Sequence, residues 1–333
     1  MIRYLEDREK LNIMSLYEQC FDDAEEYKSY FFEDILPNNH IAVYEESGEI
    51  KGMLQLIPKA VNVGKNKSHC FYIYGVATDK NCRQKGIMKE IFENVLKDLY
   101  DNQECFTYLV PSNKENGMIY KGLGFEYVMD KKLLKKEDLR KKPTHSLILR
   151  KADYSDLSRL SIFAQSYMES HYGVFLSKDK EYFKNMFSLM DAEGGKVELY
   201  FENKIVLGYR IGFEDEVIEE VLDTNIQAMS WEGADTKEYA MARLLNIPKA
   251  LKLMGTSSAG EVVVKLSDDV IDENNGVFLL QYDGRRITWE PTKQKSDVEV
   301  TIGELSAHVF GYKVIEGLPK INMKAGFYIN DYV

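Results

Sequence analysis

The chain reads as a mixed α/β (α+β) protein, and three features predict it. An apolar run from Cys70 to Ala77 ends in a polar turn. An amphipathic helix follows, with Ile87, Met88, Ile91, Phe92, Val95, Leu96 and Leu99 on one face at helical spacing. A second apolar run, Cys105 to Val110, leads through another polar turn into a short helical segment ending near Gly122. Upstream, the strand-like runs Ile41 to Tyr44 and Ile50 to Ile57 flank Glu46-Ser47-Gly48-Glu49, a hairpin signal. The 333 residues suggest two or three domains, at roughly 100–150 residues each.

The elements follow in chain order. Residues 8–36 look helical, with Leu11, Met14, Leu16, Tyr17, Cys20 and Phe21 forming an interrupted apolar face. The hairpin, the strand through Val76, the helix 86–101, the Cys105 strand, the short helix and a strand Phe125 to Val128 complete a first unit. From Lys131 to Pro143 the chain is basic, carrying Lys131, Lys132, Lys135, Lys136, Arg140, Lys141 and Lys142. It lacks the interleaved aromatics of a single-strand nucleic-acid groove and reads as a solvated linker. Residues 145–222 predict a strand, helices near 154–170 and 178–191, and strands near 196–203 and 205–211. Residues 223–333 mix strands with helices at 236–254 and near 303–310.

Composition narrows the class. A hydrophobic content of 44% supports sizeable cores. No run reaches the roughly 18–20 apolar residues needed to span a membrane. The N-terminus, Met1 to Asp7, carries no apolar signal region. Cys20, Cys70, Cys82 and Cys105 form no Cys-x-x-Cys pair and read as reduced thiols. The five histidines are scattered, so no metal site is expected. The net charge of −11 argues against nucleic acid and toward a cationic partner. These traits predict a cytoplasmic location.

Chemistry concentrates in the first turn. Arg83, Gln84, Lys85 and Gly86 lie between strand and helix, where free backbone N–H groups and the helix dipole favour a phosphate. Gly86 lets the backbone approach a ligand. Neither a Gly-x-x-x-x-Gly-Lys-Ser/Thr loop nor a Gly-x-Gly-x-x-Gly motif is present. The turn reads Arg83-x-x-Gly86-x-Met88 and resembles the pyrophosphate loop of GNAT acetyltransferases, Gln/Arg-x-x-Gly-x-Gly/Ala, with Met88 in place of the small last residue. Farther on, Asn113, Tyr120, Gly124 and Phe125 fall on the GNAT pattern Asn-x-x-Ala-x-x-x-Tyr-x-x-x-Gly-Phe, with Asn116 and Gly117 where alanine is usual. The segment Ala240 to Leu251 resembles a recurring element of the Eis-like (enhanced intracellular survival) acetyltransferases. Val262 to Asp269 and Asn275 to Leu280 fit the same resemblance.

That resemblance implies three units: a GNAT domain at 1–135, a degenerate GNAT-like domain at 144–222, and a sterol-carrier-protein-like domain at 223–333. Residues 195–225 hold no Arg-x-x-Gly-x-Gly/Ala turn, so the second unit is not expected to bind coenzyme A. The implied cofactor is acetyl-CoA. Val76, Ala77 and Thr78 would hold its pantetheine arm. Arg83, Gln84, Lys85, Gly86 and Ile87 would hold its pyrophosphate, with Asn113 adding a contact. Tyr120 would act as general acid. The general base would be the C-terminal carboxylate of Val333. The chain ends Gly326-Phe327-Tyr328-Ile329-Asn330-Asp331-Tyr332-Val333, apolar and aromatic where most termini are polar and frayed; a final strand with an incidental end is the alternative.

The implied acceptor is a primary amine of a small cationic or polyamine molecule. Asp22, Glu26, Tyr30, Phe31 and Asp331 are candidates for its pocket, although acids on a helix usually face solvent. No tryptophan precedes Trp231, so the first unit lacks an acceptor-stacking indole. The resemblance also implies a homo-oligomer, trimer or hexamer. Two other classes stand beside this reading: a non-catalytic acyl-CoA sensor and a lipid-binding module. The polar stretch Asp283 to Thr288 speaks against a large apolar tunnel in the latter.

Overall fold

In the computed structural model, which describes residues 1–133, 147–223, 235–321 and 326–330, the apolar runs pair into three sheets. The first unit contributes β1 (Ile2–Tyr4), α1 (Met14–Cys20), α2 (Glu25–Tyr30), β2 (His40–Glu46), β3 (Glu49–Val63), β4 (Asn66–Thr78), α3 (Ile87–Asp101), β5 (Phe106–Leu109), α4 (Lys114–Lys121) and β6 (Glu126–Lys132). The hairpin forms as its sequence demands. Glu46 pairs with Glu49, and Ser47 and Gly48 both take positive φ, the two-residue turn that matches strand twist. The helical stretch 8–36 is broken into α1, α2, 3₁₀ turns and a π-helical turn.

The middle unit is built from β7 (Ile148–Lys151), α5 (Leu157–His171), β8 (Val174–Leu176), α6 (Lys180–Glu193), β9 (Lys196–Glu202), β10 (Ile205–Gly212) and β11 (Val217–Leu222). Its four-stranded antiparallel sheet runs β11-β10-β9-β7. The last unit holds β12 (Thr236–Leu244), α7 (Ile247–Lys252), β13 (Ala259–Ser267), β14 (Gly276–Asp283), β15 (Ile287–Pro291), β16 (Val298–Thr301), α8 (Ile302–Val309) and β17 (Phe327–Tyr328). Its own sheet runs β15-β14-β13-β16, with β13 and β16 parallel.

The units interlock. The first sheet runs β1-β2-β3-β4-β5-β12-β6, so a strand from far along the chain separates β5 from β6. Two sequence expectations are corrected here. Residues 236–244 are a strand, and the helix predicted over 236–254 shrinks to α7. Nor does a boundary at residue 223 follow the hydrogen bonding, because β12 belongs to the first sheet. The far end of β3 also pairs with β8, and β8 with β17, which carries the C-terminal segment onto the same sheet.

Arg243 of β12 fastens this arrangement. Its guanidinium is fully buried, donates from Nη2 to both carboxylate oxygens of Asp268 at 2.7 Å, and from Nη1 to the Leu123 carbonyl at 2.5 Å. Asp268 in turn accepts from the Val270 and Ile271 amides and from Asn274 Nδ2. One side chain thus joins the first sheet, the loop before β6 and the last unit. Gly124 makes room for it: φ is +80° there, and a Cβ would collide with the guanidinium.

Breaking a buried ion pair from one side strands a charge, at a cost of about 3–5 kcal/mol. Arg243→Ala and Asp268→Ala should each lower unfolding stability by about that amount, and the double variant should lose less than the sum. Denaturant titration of the three variants measures this; additive losses would mean the two side chains do not act as a pair.

Candidate active site

The turn after β4 is shaped to receive an anion. Where Met53 faces Ala77 and Gln55 faces Tyr74, β4 carries an extra residue, a bulge at Gly75 and Val76. Such bulges re-aim a strand near its functional end. On the other side β4 pairs with β5 only at Phe71–Thr107 and Tyr72–Tyr108. Beyond that point the parallel strands part. The end of β4, with Val76 and Thr78 half-buried and Ala77 buried against the core, therefore borders an opening.

Asp79 Oδ1 caps the next turn through the Asn81 amide at 2.8 Å, and the Lys80 amide donates to Gln19 Oε1 at 2.9 Å. Gln84 and Gly86 both take left-handed conformations, at φ 61° and 83°. Turns of this kind gather backbone N–H groups into an anion-binding concavity. Gly86 then opens α3, and no side chain caps that N-terminus. Arg83 and Lys85 are exposed beside it. Arg83 Nε donates to the Thr78 carbonyl at 3.4 Å, and neither cation forms an ion pair among the described residues. Two cations next to the positive end of a helix dipole repel it unless an anion sits between them. Ile87 contributes only its backbone here, since its side chain is buried against Gly52 of β3. Met88 is half-buried and packs with the core beneath the helix.

Tyr120 lies on the same face of the sheet as α3. Asn113 caps α4 by accepting from the Asn116 amide at 2.8 Å, so the structure gives its side-chain oxygen a structural task. At the other end the Tyr120 carbonyl accepts from Leu123 and Phe125. The ring packs against Phe92 of α3 at 5.5 Å and Phe125 at 6.4 Å. Burial pushes the phenol up to about 12, because the phenolate loses solvation. It is therefore protonated at neutral pH and able to donate.

The opposite face of the sheet is covered by α1, α2, the middle unit and α8. Of the acceptor candidates there, Asp22 and Glu26 are exposed. Tyr30 is half-buried, its hydroxyl 3.4 Å from the Asn185 carbonyl, and burial raises its phenol to about 12. Phe31 is a correction. It is 0% exposed, stacked on Tyr17 at 5.1 Å and packed on Tyr74 at 5.7 Å, so it supports the wall and does not line the pocket. Sequence reasoning missed the polar centre of this wall. Tyr17 donates to Asp23 Oδ2 at 2.6 Å, and the Tyr27 and Tyr74 hydroxyls lie 3.0 Å apart. These residues are too far apart in sequence for any motif to join them.

The C-terminal segment reaches this face. Phe327 packs against Phe106, Tyr108 and Phe310, Tyr328 stacks on Tyr172 at 4.5 Å, and the Ile329 amide donates to Met129 sulfur at 3.3 Å. Tyr328 also bonds Glu219, which takes a buried bond from Lys178 at 3.1 Å. Asp331 and Val333 lie outside the described residues, as does the basic run 135–142. Beside the segment is a cavity of about 310 Å³ bounded by β6, β11 and Phe327, Tyr328 and Asn330. No residue of the 83–87 turn lines it.

No helix of the described residues is long and apolar enough to cross a membrane, and no group of His, Cys, Asp or Glu among them could hold a metal ion.

The chain has recognisable relatives at the level of domains and fold. Residues 1–128 match the Acetyltransferase (GNAT) domain family, and residues 247–323 the Sterol carrier protein domain family. No curated protein sequence matches. A probable N-acyltransferase from Enterococcus faecalis superposes with a TM-score of 0.77 at 15% identity, over 94% of this chain and 90% of that one. A GCN5-related N-acetyltransferase from Kribbella flavida gives 0.75 at 16%, over 100% and 98%. Eis1 from Mycobacterium abscessus gives 0.68 at 13%, over 92% and 88%. At these identities the likeness is one of fold. The exposed cations, the uncapped helix and the parted strands fit the pyrophosphate and pantetheine arm of coenzyme A. The chain thus joins an N-terminal GNAT acetyltransferase domain, whose acyl donor is acetyl-CoA, to a C-terminal sterol carrier protein domain.

Proposed function

We propose that the protein transfers an acetyl group directly to a primary amine of a small cationic or polyamine acceptor. The carrying observation is the pairing of an uncapped, cation-flanked helix N-terminus with a protonated Tyr120 on the same face of the sheet. Acetyl-CoA supplies a thioester there. The bulged end of β4 offers backbone N–H groups at Val76 and Thr78 to the pantetheine arm and the thioester carbonyl, and such fixed donors favour developing oxyanion charge. Arg83, Gln84, Lys85, Gly86 and Ile87 hold the pyrophosphate. Tyr120 gives its proton to the leaving sulfur.

The Val333 carboxylate is the general base in this proposal. Support comes from the preceding residues, since Phe327, Ile329 and Asn330 are buried where a free terminus would fray. Asp22, Glu26, Tyr30 and Asp331 provide negative and aromatic surface for the acceptor, and the net charge of −11 favours a cation. Cys20, Cys82 and Cys105, which form no disulfide, support a cytoplasmic setting. We further propose a homo-oligomer, trimer or hexamer. Light scattering at micromolar concentration should give a multiple of the 38.5 kDa chain, and a monomer would refute it.

Arg83→Glu places a negative charge against the pyrophosphate. It should weaken acetyl-CoA binding by at least about 1.5–3 kcal/mol, the worth of a charge-assisted hydrogen bond. Calorimetry showing unchanged affinity would remove the turn from the cofactor site.

Tyr120→Phe should leave cofactor affinity intact and lower turnover about 10²–10⁴-fold. Extending the chain beyond Val333 converts the carboxylate to an amide and should also lower turnover while sparing cofactor binding. The combined change should cost less than the product of the two, because both groups serve one transfer. A fully active enzyme with a C-terminal extension would assign the base elsewhere.

A further inference from the structure

The cavity of about 310 Å³ beside the C-terminal segment lies apart from the groups assigned to acetyl transfer, since neither Tyr30, Tyr120 nor the 83–87 turn lines it. β6 forms one wall from Val128 to Lys132, and β11 another from Val217 to Val221. Aromatic rings close much of the remainder. Tyr172 stacks on Tyr328 at 4.5 Å, and Phe310 meets Phe327 edge to face at 5.1 Å. A dry cavity of about 150 Å³ is enough to hold one benzene. This one therefore has room for a ring carrying a short chain.

The carboxylates of the wall already have donors. Glu219 accepts from Lys178 Nζ at 3.1 Å on both oxygens, and from the Tyr209 hydroxyl at 3.1 Å. Glu220 accepts from the Tyr200 hydroxyl, and Asp130 from Tyr312 at 2.6 Å. The unmatched group is a cation. Lys131 is half-buried, with its ammonium 5.2 Å over the Tyr239 ring, and it forms no ion pair among the described residues. Its cross-strand partner in β12 is Lys237, which forms none there either. Like charges directly opposite on a sheet repel. Burial lowers the Lys131 ammonium and Lys237 lowers it further, while Glu216 and Glu219 act the other way.

An anion beside the two ammonium groups would relieve this repulsion, and the aromatic wall would cover an apolar body attached to it. The acids of the wall decide which anion. Asp130, Glu219 and Glu220 repel a dianion such as phosphate more strongly than a monoanion. We propose that the cavity binds a small aryl or alkyl monocarboxylic acid, with its carboxylate on Lys131 beside Lys237 and its apolar body against the rings of the C-terminal segment. Phe327, Tyr328 and Asn330 are part of the wall, so the bound acid ties that segment to β6 and β11. The Ile329 amide, bonded to Met129 sulfur, lies between them and reports the tie. The site stands independently of the acetyl-transfer reading.

The test uses the full chain without cofactor and three probes: 3-phenylpropionate, its neutral amide 3-phenylpropanamide, and inorganic phosphate. Saturation-transfer NMR and calorimetry measure binding. The acid should bind at least about tenfold more tightly than the amide, the lower worth of a charge-assisted hydrogen bond. Phosphate should bind more weakly than the acid. Lys131→Gln should weaken the acid about 10–100-fold, and Lys131→Arg, which keeps the charge, should retain it. Lys131→Gln removes one of two repelling charges from a half-buried position, and its melting temperature checks that the fold holds. Hydrogen exchange in the peptide covering 326–330 should slow when the acid is added to the unmodified protein, and not when the same concentration is added to Lys131→Gln. Absence of acid binding, equal binding of the amide, tighter binding of phosphate, or undiminished binding to Lys131→Gln would each overturn the site. Exchange that the acid leaves unchanged would overturn the tie to the C-terminal segment.

Discussion

The buried Arg243 is the constraint on which the rest of the molecule depends. A guanidinium taken out of water must find acceptors nearby, and here the contact ties together three parts of the chain. Asp268 belongs to the last unit, Leu123 to the loop after α4, and Arg243 itself to a strand inside the first sheet. Asp268 is satisfied in turn by two backbone amides and an asparagine. The geometry leaves little slack, which is why residue 124 is a glycine with left-handed backbone. Because Leu123 and Gly124 lie just beyond Tyr120, the same clamp fixes the far end of the helix that carries the candidate acid.

The first sheet then divides the labour between its faces. The α3 face holds the turn Arg83 to Gly86 and Tyr120. The other face holds Tyr17, Tyr27 and Tyr74 and the C-terminal segment. Beyond Tyr72, β4 and β5 part, so the ladder between them does not run the length of the sheet. The bulge at Gly75 and Val76 likewise turns the last residues of β4 out of register with β3.

Much of this was legible in the sequence, and the failures have physical causes. The hairpin, the turn at Arg83 to Gly86 and the face of α3 are local, and each carries its own turn or periodicity signal. Strand β12 was read as a helix because Ala240-Met241-Ala242-Arg243-Leu244 is rich in helix formers. Its five residues are buried without interruption, and a strand buried on both faces loses the alternation that would mark it. Phe31 was taken for a pocket residue because neighbouring acids drew it into their pattern, yet its place is under Tyr17 and Tyr74. The Tyr27 and Tyr74 hydroxyls meet across 47 residues of chain, and no local pattern connects α2 to β4.

The middle unit acquires a physical purpose from these contacts, even without a cofactor motif of its own. Its strand β8 bridges β3 and β17, so the C-terminal segment enters the first sheet only through it. Tyr328 is held at the same place by Glu219 of β11, whose charge is balanced by Lys178. Both members of that ion pair are fully buried and share the Tyr182 and Tyr209 hydroxyls. Removing the middle unit would leave Phe327 and Tyr328 without the strand they pair with. The middle unit thus anchors Phe327 and Tyr328, and the clamp at Arg243 fixes the end of the helix that carries Tyr120.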